Sequence, residues 1–477
     1  MPSRARPGRD ATAAAPRRAA AVVAWLVAWQ LLSMGIGHDL LLPGPADVVR
    51  RLLELAAEPA SWARVGFSLA RVTGGFLLAF CLGLALGLVA GGRRWLLELL
   101  EPAVLLLKSV PIVCVIVLLL LWVGSRQVSV VAVFLAVFPP VYLSVVEAIR
   151  ARDDGLGRVL RAMEVPAWRR LLADDWQQLL PYLVATSRNA CGMAWKAGVA
   201  AELIGSPRGS MGEGIYQAKL LLETGDLFAW TLAVVALSWA CERVFVRCLA
   251  ATGPLALRLA ARRPGAGASG AAVAAPGPAP IRLEGATLGH GPASVVAKAL
   301  SLELSAGSRT ILSDPSGAGK TTLIETVARM VEPLSGEVDS PAHVSVVTQA
   351  PALVEGMTAE QNVELAAGTL GERGAHDLLA QVLPAEALGR PVRGLSGGQR
   401  RRVEIVRALA HPSQAVLLDE PFAALDRASR RQVAALADRL LAGRTLLVAS
   451  HDPEDARLLG ATRVEALGGT AGPVRPA

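Results

Sequence analysis

The sequence predicts an α-helical membrane domain followed by an α/β domain, and three observations support this fold class. Long apolar runs, several without any charge, occupy the first half of the chain. Ala261–Pro280 is then rich in alanine, glycine and proline, as flexible linkers are. A strand-like run, a glycine-rich loop and a helical pattern follow one another in the second half. We therefore expect a membrane domain over 1–260, a linker over 261–280 and an α/β domain over 281–477.

Six segments of the first half are candidate membrane spans. A helix that crosses the hydrocarbon layer needs about 20 apolar residues. Three segments carry no charge, one carries only Lys108, and two are weaker because charged residues interrupt them. In chain order the segments are Ala19–Gly37, Gly74–Gly92, Ala103–Gly124, Val128–Val146, Tyr182–Gly205 and Leu227–Ala250. Six spans are the favoured count, and five remain an alternative.

The arginines indicate the orientation of these spans. They are concentrated before the first span and after the second, fourth and last, while the alternate loops carry fewer, apart from the first outer loop. The positive-inside rule therefore places both ends of this half in the cytoplasm. The net charge of +8 belongs to these loops and does not indicate a nucleic-acid partner. A signal peptide is the competing interpretation of Ala19–Gly37, but no convincing small-residue cleavage site leads into a soluble domain.

The segment SDPSGAGKTT has the pattern of a phosphate-binding loop between a strand and a helix. Backbone N–H groups of such a loop and the N-terminus of its helix point at phosphate groups. Lys320 is placed to reach the β- and γ-phosphate oxygens, and the Thr321 hydroxyl to ligate Mg²⁺. The residues expected to contact the nucleotide here are Asp314, Pro315, Ser316, Gly317, Ala318, Gly319, Lys320, Thr321 and Thr322.

Asp314 stands where this pattern has its first glycine. Aspartate tolerates positive φ better than most residues, so the turn can survive. A carboxylate about 5 Å from a phosphate charge, at an effective dielectric near 20, repels it by roughly 3 kcal/mol. The sequence therefore predicts a working nucleotide site with weakened affinity.

Two further motifs accompany the loop. AVLLDEP, Ala415–Pro421, is an apolar strand that ends in two acids: Asp419 suits the Mg²⁺ shell, and Glu420 is placed to orient and deprotonate the attacking water. LSGGQ, Leu395–Gln399, opens a helix and provides a second anion-binding N-terminus. One domain has no use for two γ-phosphate sites unless the second serves a partner's nucleotide.

Together these motifs resemble the ATP-binding cassette (ABC) family, whose P-loop NTPase fold the resemblance implies for essentially all of 281–477. It implies catalytic roles for Gln349, Glu420 and His451, with His451 in SHD on the γ-phosphate. It further implies a Mg²⁺ site formed by Thr321, Gln349 and Asp419. The signature residues that would close on ATP held by the opposite subunit are Ser396, Gly397, Gly398 and Gln399. Asp426 matches the D-loop, and His290 falls where the family usually stacks an aromatic ring on adenine.

The membrane half resembles type I importer permeases of the nitrate/sulfonate/taurine class. Lys108–Gly124, the paired Pro139–Pro140 and AWKAGVAAELIG (Ala194–Gly205) carry this resemblance. In that group a cytoplasmic loop docks in a cleft of the ATPase, and Glu147–Pro181 is the matching segment. Its helical motif is degenerate, since Val165 stands near the expected glycine.

The two resemblances imply ATP-driven import of a small nitrate-, sulfonate- or taurine-like solute across the cytoplasmic membrane. They imply a membrane-embedded homodimer, ATP and Mg²⁺ as cofactors, and an extracytoplasmic solute-binding protein as partner, without nucleic acid. A half-size ABC exporter is the alternative, because the membrane half precedes the cassette. Three charged residues within spans, Lys108, Lys196 and Glu202, are candidates for a solute path. The favoured interpretation is that Lys196 and Glu202 pair locally or reach toward an interface.

Overall fold

A computed structural model describes residues 10–37, 41–262, 277–291, 294–315, 317–368, 370–466 and 469–473. The chain divides by its contacts into two compact units. The first comprises Met1–Ala151 and Leu179–Ala250, and the second comprises Arg152–Gln178 and Ala251–Ala477. Most of the predicted linker, residues 263–276, lies outside the described residues, as does Ser316.

Helices make up the described part of the first unit. The first ten helices of the chain are α1 (Asp10–Ile36), α2 (Pro45–Ala57), α3 (Pro59–Gly91), α4 (Arg94–Ser109), α5 (Ile112–Arg150), α6 (Gly155–Ala162), α7 (Ala167–Arg170), α8 (Trp176–Gly205), α9 (Met211–Leu220) and α10 (Thr224–Ala261). Of these, α6 and α7 lie in the second unit, and a π-helical turn, Leu171–Asp175, links α7 to α8.

Three helices in the described part of the chain are long and apolar enough to cross a membrane: α1 over Ala19–Ile36, α3 and α5. The third predicted span, Ala103–Gly124, is not one helix, because α4 ends at Ser109 and Pro111 precedes α5. Proline lacks an N–H and forces the residue before it into an extended conformation. A second break lies at Gly124, with φ 75° and ψ 170°, between the third and fourth predicted segments. The count of six spans stays a prediction.

Glycines allow α3 and α5 to pack closely. A Cβ atom on Gly75 would lie 2.6 Å from the Val130 carbonyl oxygen, and one on Gly87 would lie 2.7 Å from Cβ of Val145. Small residues at such contacts are typical of helix pairs in membranes, where close backbone approach replaces the hydrophobic effect as the source of stability. The glycines of the apolar run Gly74–Gly92 thus determine how its helix packs.

The second unit is an α/β domain with two sheets. Its strands are β1 (Ile281–Gly289), β2 (Val295–Leu304), β3 (Arg309–Leu312), β4 (Ser335–Asp339), β5 (Val344–Val347), β6 (Ala415–Asp419), β7 (Thr445–Ala449), β8 (Arg463–Ala466) and β9 (Gly469–Pro473). Its later helices are α11 (Lys320–Val327), α12 (Ala359–Ala366), α13 (Gly371–Leu379), α14 (Gly397–Ala410), α15 (Arg427–Leu441) and α16 (Pro453–Leu458).

The larger sheet positions the functional loops. Its strand order is β5-β6-β7-β3-β8-β9, parallel except for the antiparallel β8–β9 pair. All residues of β5, β6 and β7 are buried, as expected for parallel strands covered on both faces. Because parallel strands end at the same edge, the loops after β3, β5, β6 and β7 meet there. The smaller sheet, β2-β1-β4, is antiparallel.

Candidate functional site

The loop between β3 and α11 has the backbone of an anion-binding site. Gly317 and Gly319 have φ of 90° and 98°, values that residues with a side chain rarely adopt. Gly319 precedes Lys320, the first residue of α11, so free N–H groups at the start of this helix face the loop. The buried Lys320 ammonium donates hydrogen bonds to the carbonyl oxygens of Asp314 and Pro315. Phosphate oxygens can take the place of these acceptors.

Asp314 causes no left-handed strain in this loop. It is not among the non-glycine residues with positive φ in the described part of the chain. The backbone at position 314 therefore does not require the glycine of the phosphate-loop pattern. The tolerance of aspartate for positive φ is not needed to explain this turn. Asp314 is half-buried, and its backbone carbonyl accepts from Lys320. The predicted effect of its charge on phosphate affinity stays a prediction.

Asp419 provides a buried carboxylate at the end of β6. Burial raises the pKa of Asp419, and a hydrogen bond from the Thr321 side chain partly opposes this shift. Within the described residues, one of its carboxylate oxygens, Oδ2, has no hydrogen-bond partner. A buried oxygen without a partner is costly unless a ligand satisfies it. The oxygens of Asp419 and Thr321 are ligands that a hard divalent cation such as Mg²⁺ prefers, so this pair fits the predicted metal site.

Glu420 and His451 come together beside Asp419. His451 Nδ1 lies 2.9 Å from Glu420 Oε1, and this hydrogen bond raises the pKa of His451. Glu420 has φ 48°, an unusual conformation for a residue with a side chain, and its N–H donates to the Ala449 carbonyl at 2.9 Å. Strained residues of this kind are held by their surroundings and are frequent at functional sites. The loops after β6 and β7 thus unite two of the three predicted catalytic residues.

The remaining predicted residues lie on other loops of the same unit. Gln349 is exposed just after β5. Ser396 caps α14: its hydroxyl accepts from the Gln399 N–H, and the Gln399 side chain accepts from the Ser396 N–H. Gly398 lies close to the D-loop, because a Cβ atom there would be 2.9 Å from the Ala424 carbonyl oxygen. The signature therefore opens a helix, as the sequence predicts.

His290 is exposed immediately after β1. In the described part of the β1–β2 hairpin it is Val296 of β2 that lies next to the phosphate loop. A Cβ atom on Gly319 would lie 2.9 Å from Val296 Cγ1. Stacking of His290 on adenine stays a prediction.

Residues 152–178 pack into the core of the α/β domain. Val159, Leu160 and Met163 are buried in one cluster with residues of β1 and α11. The buried Arg169 guanidinium donates to the carbonyl oxygens of Ala260, at 2.6 Å, and Leu365, at 3.4 Å. These contacts lie within the segment that the sequence predicts to dock on the ATPase.

The backbone of this segment turns at Glu164, one residue before the position singled out in the sequence. Glu164 has φ 54°, so it is the position whose conformation favours glycine, whereas Val165 is buried. The Glu164 carboxylate lies 2.8 Å from His343 Nδ1. An ion pair or hydrogen bond thus joins the turn to the start of β5.

Glu202 in α8 is completely buried in the membrane unit. Its Oε2 atom accepts from the Ser68 hydroxyl at 2.6 Å and from the Gly212 N–H at 3.4 Å, while Ser68 Oγ accepts from the Met211 N–H at 2.9 Å. Lys196 is exposed and is not among these partners, so the expected local pairing of Lys196 with Glu202 is wrong. Lys108 is exposed as well.

A buried ion pair behind the site is not apparent from the sequence. Arg401 and Glu404 lie on α14, and their charged groups are 3.1 Å apart with almost no exposed surface. The one signal in the sequence is the run of three arginines after LSGGQ, followed by glutamate at a spacing of three from the middle arginine. A run of charges at a helix start more often indicates a solvated surface, and burial of the pair depends on tertiary structure.

Comparisons with known proteins match both halves. Residues 297–423 match the family described as "ABC transporter", and residues 83–246 match the "Binding-protein-dependent transport system inner membrane component". An aliphatic sulfonates import ATP-binding protein of Paraburkholderia xenovorans is 37% identical over 187 residues, 39% of this chain and 75% of the relative. An aliphatic sulfonates transport permease protein of Bacillus subtilis is 32% identical over 203 residues, 42% of this chain and 73% of the relative.

A taurine import ATP-binding protein of Roseobacter denitrificans is 34% identical over 177 residues, 34% of this chain and 66% of the relative. The relatives thus resemble this chain in two separate segments, one an ATPase and the other a permease. The chain covers 75% of the sulfonate ATP-binding protein and 73% of the sulfonate permease. The chain therefore belongs to the ABC transporters, and it joins the inner membrane component of a binding-protein-dependent system to its own ATP-hydrolysing domain on the cytoplasmic side of the membrane.

Proposed function

We propose that the chain imports a small sulfonate-like anion across the cytoplasmic membrane, driven by hydrolysis of ATP with Mg²⁺. One observation carries the proposal: the loops after β3, β6 and β7 bring Lys320, Asp419, Glu420 and His451 to one edge of the sheet, and they follow a membrane half that is similar to a sulfonate permease. The ATPase relatives named above are sulfonate and taurine import proteins. They give the exporter alternative no support.

The proposal gives each group of this edge a role. Lys320 and the N–H groups at the start of α11 bind the phosphates and offset their charge. Glu420 accepts the proton of the attacking water, while His451, held by Glu420, donates to the γ-phosphate. Thr321, Asp419 and Gln349 would hold Mg²⁺, whose charge stabilises the phosphate oxygens. The domains expected from the sequence, 1–260 and 281–477 with a linker between them, are part of the proposal.

The hydrolytic role of Glu420 has a direct test. Glu420→Gln keeps the shape of the side chain but cannot accept a proton, so ATP binding should persist while hydrolysis is nearly abolished. Nucleotide binding and phosphate release are measured on the same purified protein in nanodiscs. Undiminished hydrolysis by this variant would remove Glu420 from its role.

The direction and solute class are tested in proteoliposomes. Chains are reconstituted with the ATPase domain outside, ATP is added outside, and the solute-binding protein and labelled ethanesulfonate or taurine are enclosed within. An importer in this orientation moves the label out of the lumen, and an exporter does not. Retention of both labels, together with ATP hydrolysis that responds to the binding protein, would reject the solute class but keep the importer.

We further infer that the transporter is a homodimer, in which LSGGQ of one copy closes on ATP held by the other. Each chain carries one phosphate loop and one signature, at the starts of α11 and α14. A Ser396→Arg chain mixed with a Lys320→Ala chain gives dimers with one intact composite site. ATP hydrolysis should therefore return in the mixture, although each variant alone is inactive. Full activity of a monomer in nanodiscs would contradict the inference.

A further inference from the structure

Arg401 is a buried cation that contacts two functional loops at once. It lies in the second turn of α14 and only 4% of its surface is exposed. Its guanidinium donates to the Thr348 carbonyl at 2.5 Å, to the Glu420 carbonyl at 2.9 Å, and to the Asp419 carbonyl. A longer bond, 3.4 Å, reaches the Pro421 carbonyl. One side chain therefore joins the backbone after β5 to the backbone after β6.

Glu404 completes the arrangement from the next turn of the same helix. It is fully buried, and one carboxylate oxygen accepts from Arg401 at 3.1 Å while the other accepts from the Ala352 N–H at 2.5 Å. Arg407, also fully buried, donates to the Ala352 carbonyl at 2.7 Å. Both ends of the segment that carries Gln349 are thus fixed: Thr348 by Arg401, and Ala352 by Glu404 and Arg407.

The contact with Glu420 matters because its backbone is strained. A residue with a side chain at φ 48° is held there only if its surroundings constrain it. Three hydrogen bonds provide this constraint: the Glu420 N–H donates to the Ala449 carbonyl, and the Glu420 carbonyl accepts from the Ala423 N–H at 3.1 Å and from the Arg401 guanidinium at 2.9 Å. If the bond from Arg401 is lost, the backbone can relax and turn the carboxylate away from the attacking water.

From these contacts we propose that Arg401, oriented by Glu404, is a positioning residue that fixes Glu420 relative to the loop of Gln349. A movement of that loop then shifts the Glu420 backbone through a single guanidinium group. This proposal rests on the proposed function, which assigns Glu420 to hydrolysis and Gln349 to the Mg²⁺ site. It adds a rigid link between these two groups, made of the buried residues Arg401 and Glu404, neither of which is among the residues proposed to bind ATP.

Arg401→Gln keeps a polar side chain but removes the charge and most donors. We expect the kcat of ATP hydrolysis to fall by about tenfold to 100-fold, since a misplacement of about 1 Å costs rates of that order. The KM for ATP should change less than about threefold, because phosphate contacts from Lys320 and α11 remain. Arg401→Lys, which can reach one or two of the carbonyls, should recover part of the kcat.

The matched control is Arg400→Gln on the same helix. Arg400 donates to the Arg393 carbonyl and lies 3.6 Å from Glu355, away from Glu420. Its kcat and KM should equal those of the unchanged chain. This control shows whether the loss of one positive charge near LSGGQ is by itself enough to lower kcat.

A double variant separates positioning from folding. Replacing both members of a buried ion pair by apolar residues often leaves stability unchanged, whereas removing one member leaves a buried charge. Arg401→Met with Glu404→Leu should therefore unfold at a higher temperature than Arg401→Gln, which leaves the Glu404 charge buried without its partner, yet keep the low kcat of Arg401→Gln. A merely structural pair would instead regain full kcat once stability returns.

All variants are measured in nanodiscs, with binding of a fluorescent ATP analogue and hydrolysis recorded on the same sample. Low turnover with normal binding in Arg401→Gln and in the double variant supports the proposal. Normal kcat in either one, or loss of binding and hydrolysis together in every Arg401 variant, overturns it. An unchanged chain that binds but does not hydrolyse ATP would instead reject the proposed function, and Glu420→Gln on the unchanged chain distinguishes the two failures.

Discussion

Gly212 should tolerate no side chain, because α9 begins directly against the backbone of α8. A Cβ atom on Gly212 would lie 2.4 Å from Glu202 Cβ, 2.5 Å from the Glu202 carbonyl carbon and 2.6 Å from the Leu203 nitrogen. Carbon atoms in ordinary contact are about 3.5–4.0 Å apart, so the N-terminus of α9 must move by roughly 1 Å. Backbone atoms of α8 cannot rotate out of the way as a side chain could.

The size of the effect follows from the hydrogen bonds at this point. The move breaks the 2.9 Å bond from the Met211 N–H to Ser68 and the 3.4 Å bond from the Gly212 N–H to Glu202. Each is worth about 1 kcal/mol, and a buried carboxylate that loses a donor costs about 1–3 kcal/mol more. Alanine also favours the helix over glycine by up to about 1 kcal/mol, which offsets part of this loss. We therefore expect Gly212→Ala to destabilise the membrane unit by about 2–4 kcal/mol.

Thermal unfolding in nanodiscs, followed by tryptophan fluorescence, measures this loss as a fall in Tm of roughly 4–16 °C. Gly192→Ala is the matched control, since Gly192 lies within α8 and a Cβ atom there meets nothing within 4 Å. Its Tm should stay the same or rise. Equal Tm values for the two variants would show that α8 and α9 are not in the contact on which the reasoning rests.

Two further predictions concern the ATPase domain. Asp314→Gly should tighten ATP binding severalfold without a comparable change in maximal rate, because the variant lacks a negative charge near the phosphates. The backbone at this position has no positive φ, so its conformation does not depend on the residue type. Equal affinities of both forms in ATP titrations would show that the carboxylate faces away from the phosphates. Since Glu420 raises the pKa of His451, the charged contact between them should persist below the ordinary histidine pKa of about 6.5 and be lost as pH rises through the raised value. Glu420→Gln should lower the His451 pKa in an NMR titration, and an unchanged pKa would contradict this cause.

The sequence predicts those parts of the fold and site that depend on neighbours along the chain. AVLLD forms β6, GAGK leads into α11, and Ser396 caps α14, because each depends on local hydrophobic pattern, glycine or capping chemistry. The order of the motifs was sufficient to indicate the family. The roles of the individual site residues stay predictions, although the structure brings Glu420 and His451 together.

What the sequence could not provide depends on contacts between distant residues. Arg401 and Thr348 are 53 positions apart, and Ser68 and Glu202 are 134 apart. No local pattern distinguishes these buried charges from charges on a helix surface, so the sequence favours local pairing of Lys196 and Glu202 or their reach toward an interface, and it does not predict the contact of Glu202 with Ser68. The sequence does not predict the left-handed backbone at Glu164 for another reason. Glycine is the residue that indicates positive φ, and glutamate at this position indicates no such conformation.

The packing of residues 152–178 into the α/β core limits how this transporter can exchange parts with its relatives. A cassette grafted after Ala260 would meet Val159, Leu160 and Met163 without the surface that buries them here. The graft would also have to present a carbonyl where Leu365 accepts from Arg169. A functional exchange must therefore transfer the cassette together with residues 152–178, which lie about a hundred residues before it in the sequence. A soluble fragment that starts at Ile281 would likewise expose this apolar surface to water, and we expect it to aggregate unless the loop is supplied as a peptide.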